Sequence, residues 1–259
     1  VEIQDAKKGG VVQEKVVDLK TKDGVMNTYV FHPDRPGPFP VVIFYMDSVG
    51  VREELSDMCR RLATVGYYVI MPNMYYRMVR CVDLDANRLW DPACADRLEF
   101  MWKLNRHLTN TMVMEDTQIM FDFLASEPAA RQGKTGCVGY CMSGRYVYRA
   151  MGVFPDRMAA GASVYGARLV TDQPDSAHLV TDKIKGEIYF ALAEHDHYAP
   201  PEMLEQVSQS IKTTGINGRM EYYPEAEHGF AFPTRRLYHK ASTERHWERL
   251  FDLFQRNLN

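Results

Sequence analysis

The 259-residue chain has no apolar run approaching the ~18 residues that a membrane span needs. Its opening decapeptide, VEIQDAKKGG, lacks the apolar centre of a signal peptide. Valine rather than methionine stands first, so an export segment upstream stays open. Net charge is low: 31 basic residues against 34 acidic ones give −3, and the basic residues are scattered rather than striped. That argues against a nucleic-acid surface. Cysteine is scarce, and the five residues at 59, 81, 94, 137 and 141 form neither a C-x-x-C pair nor an even set. Cys137 and Cys141 lie four apart without His or Cys partners at zinc-site spacing, so neither a disulfide framework nor a metal centre is expected. A reducing cytoplasm is the expected compartment. Repeats, low-complexity tracts and convincing linkers are missing too, so one domain over 1–259 is expected.

What is present is an alternation of strand and helix patterns. VVQEKVVDL and VMNTYVFHP are β-rich runs around the turn dipeptide Asp23-Gly24, an expected N-terminal hairpin. VVIFYM, after the breaker RPGPFP, is a short continuous apolar run of the kind found in buried parallel strands. Leu55, Met58, Leu62 and Ala63 recur at helical spacing before Gly66. Residues 81–110 are less periodic and carry Trp90 and Trp102; they read as an irregular excursion with a helix around 94–107. In the next helix, Met114, Ile119, Phe121 and Leu124 are expected to face inward. Further strands are KTGCVGY and AAGASVYG; GEIYFALAEHDHYAP reads as a strand ending in a polar loop, GRMEYYPEAEHGFAF as a final strand and loop, and an amphipathic helix closes the chain. This order predicts an α/β fold: a mostly parallel, doubly wound central sheet with helices on both faces.

The chemistry concentrates in GYCMSG, at an expected strand-to-helix junction. A tight turn there lifts one side chain out of the sheet and tolerates only small residues two before and two after it. Around Cys141 these are Gly139 and Ser143; around Ser143 they are Cys141 and Arg145, and arginine breaks the rule. Cys141 is therefore the candidate nucleophile and Ser143 a packing residue. The turn would aim the Met142 N–H at an oxyanion, and a helix N-terminus favours a thiolate. AEHDHYAP offers Asp196, with Glu194 as a rival acid, and EAEHGFAF offers His228. The order Cys141, Asp196, His228 is the nucleophile–acid–histidine order of α/β-hydrolases. His32, His107, His195, His197, His239 and His246 read as solvated or capping histidines.

GYCMSG, HDHYAP and EHGFAF, in this order and spacing, resemble the dienelactone hydrolase family of α/β-hydrolases, from about Pro40 to the last helix. The resemblance implies an α/β-hydrolase fold and a Cys141–His228–Asp196 triad. It implies oxyanion-hole N–H groups on Met142 and Ser48, with Asp47 where the bacterial enzymes carry a glutamate touching the thiol. It also implies substrate contacts by Arg77 and Tyr165, and it puts Phe232 where the family has a second arginine; Arg235 and Arg236 lie off the motif. Tyr45, Tyr75, Tyr76, Tyr140, Tyr198, Phe230 and Phe232 offer an aromatic wall. The expected activity is hydrolysis of an uncharged or singly charged ester or lactone, a small molecule, through a thioester acyl-enzyme, without metal or organic cofactor. Thioester hydrolysis on the same triad, a thiol redox sensor and a non-catalytic ligand-binding protein are the alternatives. The residues leave oligomeric state open.

Overall fold

The computed structural model describes residues 3–4 and 11–259, so the reading of the opening decapeptide lies largely outside the described residues. The strands are β1 Ile3–Gln4, β2 Val12–Thr21, β3 Gly24–Pro33, β4 Phe39–Tyr45, β5 Tyr68–Pro72, β6 Ala130–Tyr140, β7 Met158–Val164, β8 Glu187–His195 and β9 Gly218–Glu227. The helices are α1 Glu53–Thr64, α2 Ala95–His107, α3 Asn110–Leu124, α4 Gly144–Val153, α5 Pro201–Thr214 and α6 Lys240–Leu258. One sheet runs in the order β1-β2-β3-β5-β4-β6-β7-β8-β9. From β5 to β9 its neighbours are parallel, and β1, β2 and β3 complete it in antiparallel fashion. The hairpin closes with Thr21 opposite Gly24, as the turn dipeptide implies.

Both faces of the sheet are covered, and the register shows how. Gly136 pairs with Ala160, and a side chain at Gly136 would collide with Phe254 of α6. One residue on, Cys137 pairs with Gly161, whose missing side chain makes room for Met151 and Val147 of α4. Successive residues of a strand point to opposite faces, so α6 and α4 lie on opposite sides. Arg61 of α1 stacks on Trp247 of α6, and Phe121 of α3 packs on Phe154 just beyond α4, which extends each layer. All seven residues of β4 are buried, which explains its continuous apolar run.

In α3 the inward face differs from the expected one. Met114, Phe121 and Leu124 are buried, but Ile119 is only partly so, and Asp116 and Thr117 are buried with them. These polar residues are tolerated because they have partners. Thr117 bonds the Tyr45 hydroxyl at 2.8 Å and the Val113 carbonyl at 2.7 Å, and Asp116 holds Tyr76 and Arg77. The excursion carries α2 and a small core of its own, Leu89 and Met101 packed with Val49. No helix among the described residues is long and apolar enough to cross a membrane.

Candidate active site

Five of the six parallel strands deliver a site residue to the same edge, because loops leaving the carboxyl ends of parallel strands converge there. Asp47 and Ser48 follow β4, Cys141 follows β6, Tyr165 follows β7, Asp196 follows β8 and His228 follows β9. Cys141 sits at φ 55°, in the left-handed region that ordinary residues avoid, between β6 and α4. The turn is as tight as its small residues imply: a Cβ on Gly139 would stand 2.6 Å from the Ser143 carbonyl oxygen. Gly139→Ala is expected to cost about 1–3 kcal/mol by overpacking. It should also slow alkylation of Cys141, measurable by denaturant titration and peptide mass mapping. Ser143 is buried, and its hydroxyl donates to the Met46 carbonyl, pointing into the sheet rather than the cleft.

His228 Nδ1 lies 2.9 and 2.8 Å from the two carboxylate oxygens of Asp196, which also accepts the Tyr198 N–H at 2.9 Å. Glu194, the rival acid, instead accepts the Glu225 N–H at 2.7 Å. The opposite nitrogen, His228 Nε2, is buried without a hydrogen-bond partner. Tyr165, itself fully buried, packs edge-on against the imidazole at 5.1 Å and so fixes the ring. Burial opposes charge on both Cys141 and His228, yet each favours charge on the other. The imidazolium and the Ser48 hydroxyl, 3.8 Å from the sulfur, bring the thiol below its ordinary value. The thiolate and Asp196 raise His228 to about 10. The arrangement thus favours a thiolate–imidazolium pair.

Asp47 is fully buried beside this pair, but its carboxylate is turned to two guanidiniums. Arg52 reaches it at 2.6 Å and Arg235 at 2.9 Å, and the Val49 N–H donates at 3.1 Å. Both guanidiniums lie against the Phe232 ring, at 4.9 and 4.7 Å. Phe232 is therefore packing beneath the site and not a wall of it. Tyr75 donates to the Ser48 carbonyl at 2.9 Å, tying down the strand end beside the thiol.

A cavity of about 130 Å³ opens on Cys141 and also touches Ser48, Met142 and His228. Its aromatic lining is Trp90, Trp102 and Tyr198; about half of the seven candidate aromatics were expected to reach the substrate, and Tyr198 alone of them lines this cavity. The excursion supplies the two tryptophans. Four arginines complete the lining, Arg106, Arg145, Arg168 and Arg235. Arg235, off the family motif, is thus at the cavity, whereas Arg77 is not. The Arg77 guanidinium is held by Asp116 at 2.7 Å and Asp23 at 2.8 Å, behind β3 and α3. Its expected contact with substrate is corrected accordingly. Arg77→Met should lower stability by about 3–5 kcal/mol by stranding buried Asp116, and kcat/KM on an ester should not fall. Arg145 was legible only as a residue too bulky for a serine elbow, and nothing in the sequence marks Arg168 as facing the same space. Groups of three or more His, Cys, Asp or Glu suited to a metal ion do not occur among the described residues.

The profile of the dienelactone hydrolase family matches residues 26–258. A protein of Synechocystis sp., provisionally named carboxymethylenebutenolidase, is 28% identical over 250 residues, covering 95% of this chain and 98% of its own. An Escherichia coli protein with the same provisional name is 28% identical over 225 residues, 85% of this chain and 78% of its own. Among solved structures, one from Klebsiella pneumoniae, provisionally titled dienelactone hydrolase, superposes with a TM-score of 0.82 at 22% identity, covering 95% of this chain and 99% of that one. A dienelactone hydrolase from Anabaena variabilis gives 0.68 at 14% identity, covering 96% and 100%. These likenesses establish the α/β-hydrolase fold, and with a family match over nearly the whole chain the protein belongs to the dienelactone hydrolase family and is an ester or lactone hydrolase.

Proposed function

We propose that Cys141, His228 and Asp196 act as a triad that hydrolyses a small carboxylic ester or lactone through a thioester acyl-enzyme. The observation that carries this is the His228 imidazole, bound to Asp196 at 2.8 Å and lining with Cys141 the cavity that opens on the thiol. The thiolate attacks the carbonyl carbon. The Met142 and Ser48 N–H groups receive the resulting oxyanion, each worth about 2.7–4 kcal/mol by the measure of a comparable oxyanion hole in an unrelated hydrolase. The tetrahedral adduct collapses, the carbon–oxygen bond breaks, and the leaving alkoxide takes the proton of the His228 imidazolium. Neutral His228 then takes a proton from water, hydroxide attacks the thioester, and the Cys141 thiolate departs as the acid product forms. In a lactone the alcohol stays tethered to the acyl group until this second step. The provisional name of the curated relatives, carboxymethylenebutenolidase, is of the same reaction class. Nothing in this chemistry calls on a metal or organic cofactor.

Alkylation of Cys141 by iodoacetamide against pH tests the proposal. The reactive thiolate should persist below the ordinary thiol value of 9.0, and fade only as pH falls through the lowered Cys141 value. In kcat/KM an alkaline limb should appear near 10, where His228 loses the proton it gives to the leaving group. A thiol that becomes reactive only as pH rises through 9.0 would contradict the ion pair.

A further inference from the structure

His228 lines two cavities. One is the cavity of about 130 Å³ that opens on Cys141; the other, of about 330 Å³, adjoins it and shares Trp90, Tyr198 and Arg235 as well. Cys141 lines the first and not the second. A substrate whose carbonyl sits at the thiol therefore passes the imidazole before it enters the larger space. His228 Nδ1 is held by Asp196, so Nε2, buried without a hydrogen-bond partner, is the nitrogen left to give a proton there. The atom that receives this proton is the leaving oxygen, which puts the larger cavity on the leaving-group side. That sidedness rests on the proposed role of the triad.

The wall of the larger cavity narrows the chemistry of that leaving group. Among the described residues, Ala86 and Leu237 are its aliphatic members. Most of the others present flat, delocalised groups: the rings of Trp90, His197 and Tyr198 and the guanidiniums of Arg235 and Arg236. Several of these are set against one another rather than left loose. The Tyr198 ring lies 4.0 Å from that of His197 and 4.7 Å from that of His228, and the Arg235 guanidinium lies 5.5 Å from the Trp90 ring. An alkyl chain gains only buried area from such a wall and gives up its own rotational freedom. A rigid ring gains the same area, loses little freedom, and stacks on rings and guanidiniums as well.

We infer that this cavity binds the alcohol half of the substrate and that this half is aromatic: the preferred substrate is an acyclic aryl ester, its acyl group over Cys141 and its ring against Trp90 and Tyr198. A small lactone, whose leaving oxygen stays tethered at the thiol, does not reach that space. No covalent step is added to the hydrolysis. His228 protonates the phenolate oxygen as the carbon–oxygen bond breaks, and the cavity acts on binding and orientation.

The test compares hexafluoroisopropyl, phenyl and 2-naphthyl butyrate, which share an acyl group and have leaving groups of similar acidity. Each kcat/KM is divided by the rate of hydroxide hydrolysis of the same ester, which removes intrinsic reactivity. The phenyl ester should exceed the fluoroalkyl ester by at least about tenfold, and the 2-naphthyl ester should exceed the phenyl ester again. Trp90→Ala should lower the phenyl-to-fluoroalkyl ratio about tenfold; Trp90 is exposed, so the variant should fold. Ala86→Phe, which fills the larger cavity away from the thiol, should depress the 2-naphthyl rate more than the phenyl rate. Calorimetric titration with 2-naphthol reads the cavity without turnover: it should bind the wild type and bind Trp90→Ala about tenfold more weakly. Equal normalised rates on the three esters, or equal 2-naphthol binding by wild type and both variants, would overturn the subsite and leave the triad standing. Binding of 2-naphthol without turnover of any of the esters would instead overturn the triad, and with it the assignment of this cavity to the leaving group.

Discussion

Cys141→Ala is expected to lower ester hydrolysis by at least about 10⁴-fold, because removing the nucleophile of a triad removes the function of the other two members with it. What remains should be the small contribution of the oxyanion donors and of substrate binding. The fold should persist, since the Cys141 side chain is only partly buried at the cavity floor. Cys141→Ser separates two explanations for a loss. Its hydroxyl restores the size of the side chain, but His228 is set to stabilise a thiolate, so restored shape alone should not restore the rate. Ser143 offers no rescue, as its hydroxyl is bound to Met46 and has no access to the cleft. Full activity in Cys141→Ala would transfer catalysis to another residue altogether.

Asp47→Ala is expected to cost about 3–5 kcal/mol of folding stability, the usual penalty for breaking a buried ion pair by removing one partner. The reason is specific. Asp47 is the anion that Arg52 and Arg235 share; without it Arg52 keeps Glu54 at 2.8 Å, but Arg235 is left with no carboxylate in an ion pair among the described residues, packed on the same Phe232 ring as Arg52. The same residue should respond to acid. Burial works against its charge, but Arg52, Arg235 and the Val49 N–H hold its carboxyl below the usual value of 3.8. Its stabilising contribution is therefore complete above that value and is lost as pH falls through the lower folded one. Denaturant melts of wild type and Asp47→Ala should accordingly converge toward low pH. Parallel stability curves down to the acid transition would mean that Asp47 is not ionised in the fold.

The elements were legible wherever periodicity was strong. Helix α2 begins one residue after the start expected within the excursion and ends where expected, Cys141 directly follows the strand expected before it, and Asp196 and His228 lie in loops after strands, as expected. Local patterns suffice there, because a parallel sheet delivers its loops to one edge whatever their sequence separation. The lining of the cleft was much less legible. Arg77 carries the motif position but is captured by Asp116, thirty-nine residues away, and no local pattern announces that pairing. Phe232 lies inside the fold because two arginines cover it, while Arg235, three residues later, turns to the cavity. Trp90 and Trp102 stood in a stretch with no clear period, so only the folded excursion shows that they roof the thiol. Arg145 and Arg168 belong to loops and helix starts whose side-chain directions depend on tight backbone turns, at φ 55° for Cys141 and 53° for Arg168.

The most direct measurement is the mass of the protein quenched in acid within milliseconds of mixing with a p-nitrophenyl ester. The account predicts an added acyl group, localised by fragmentation to the peptide containing Cys141, released by hydroxylamine and absent from Cys141→Ala. Turnover with the acyl group on a serine, or with no acyl-enzyme on Cys141 at any time, would contradict it.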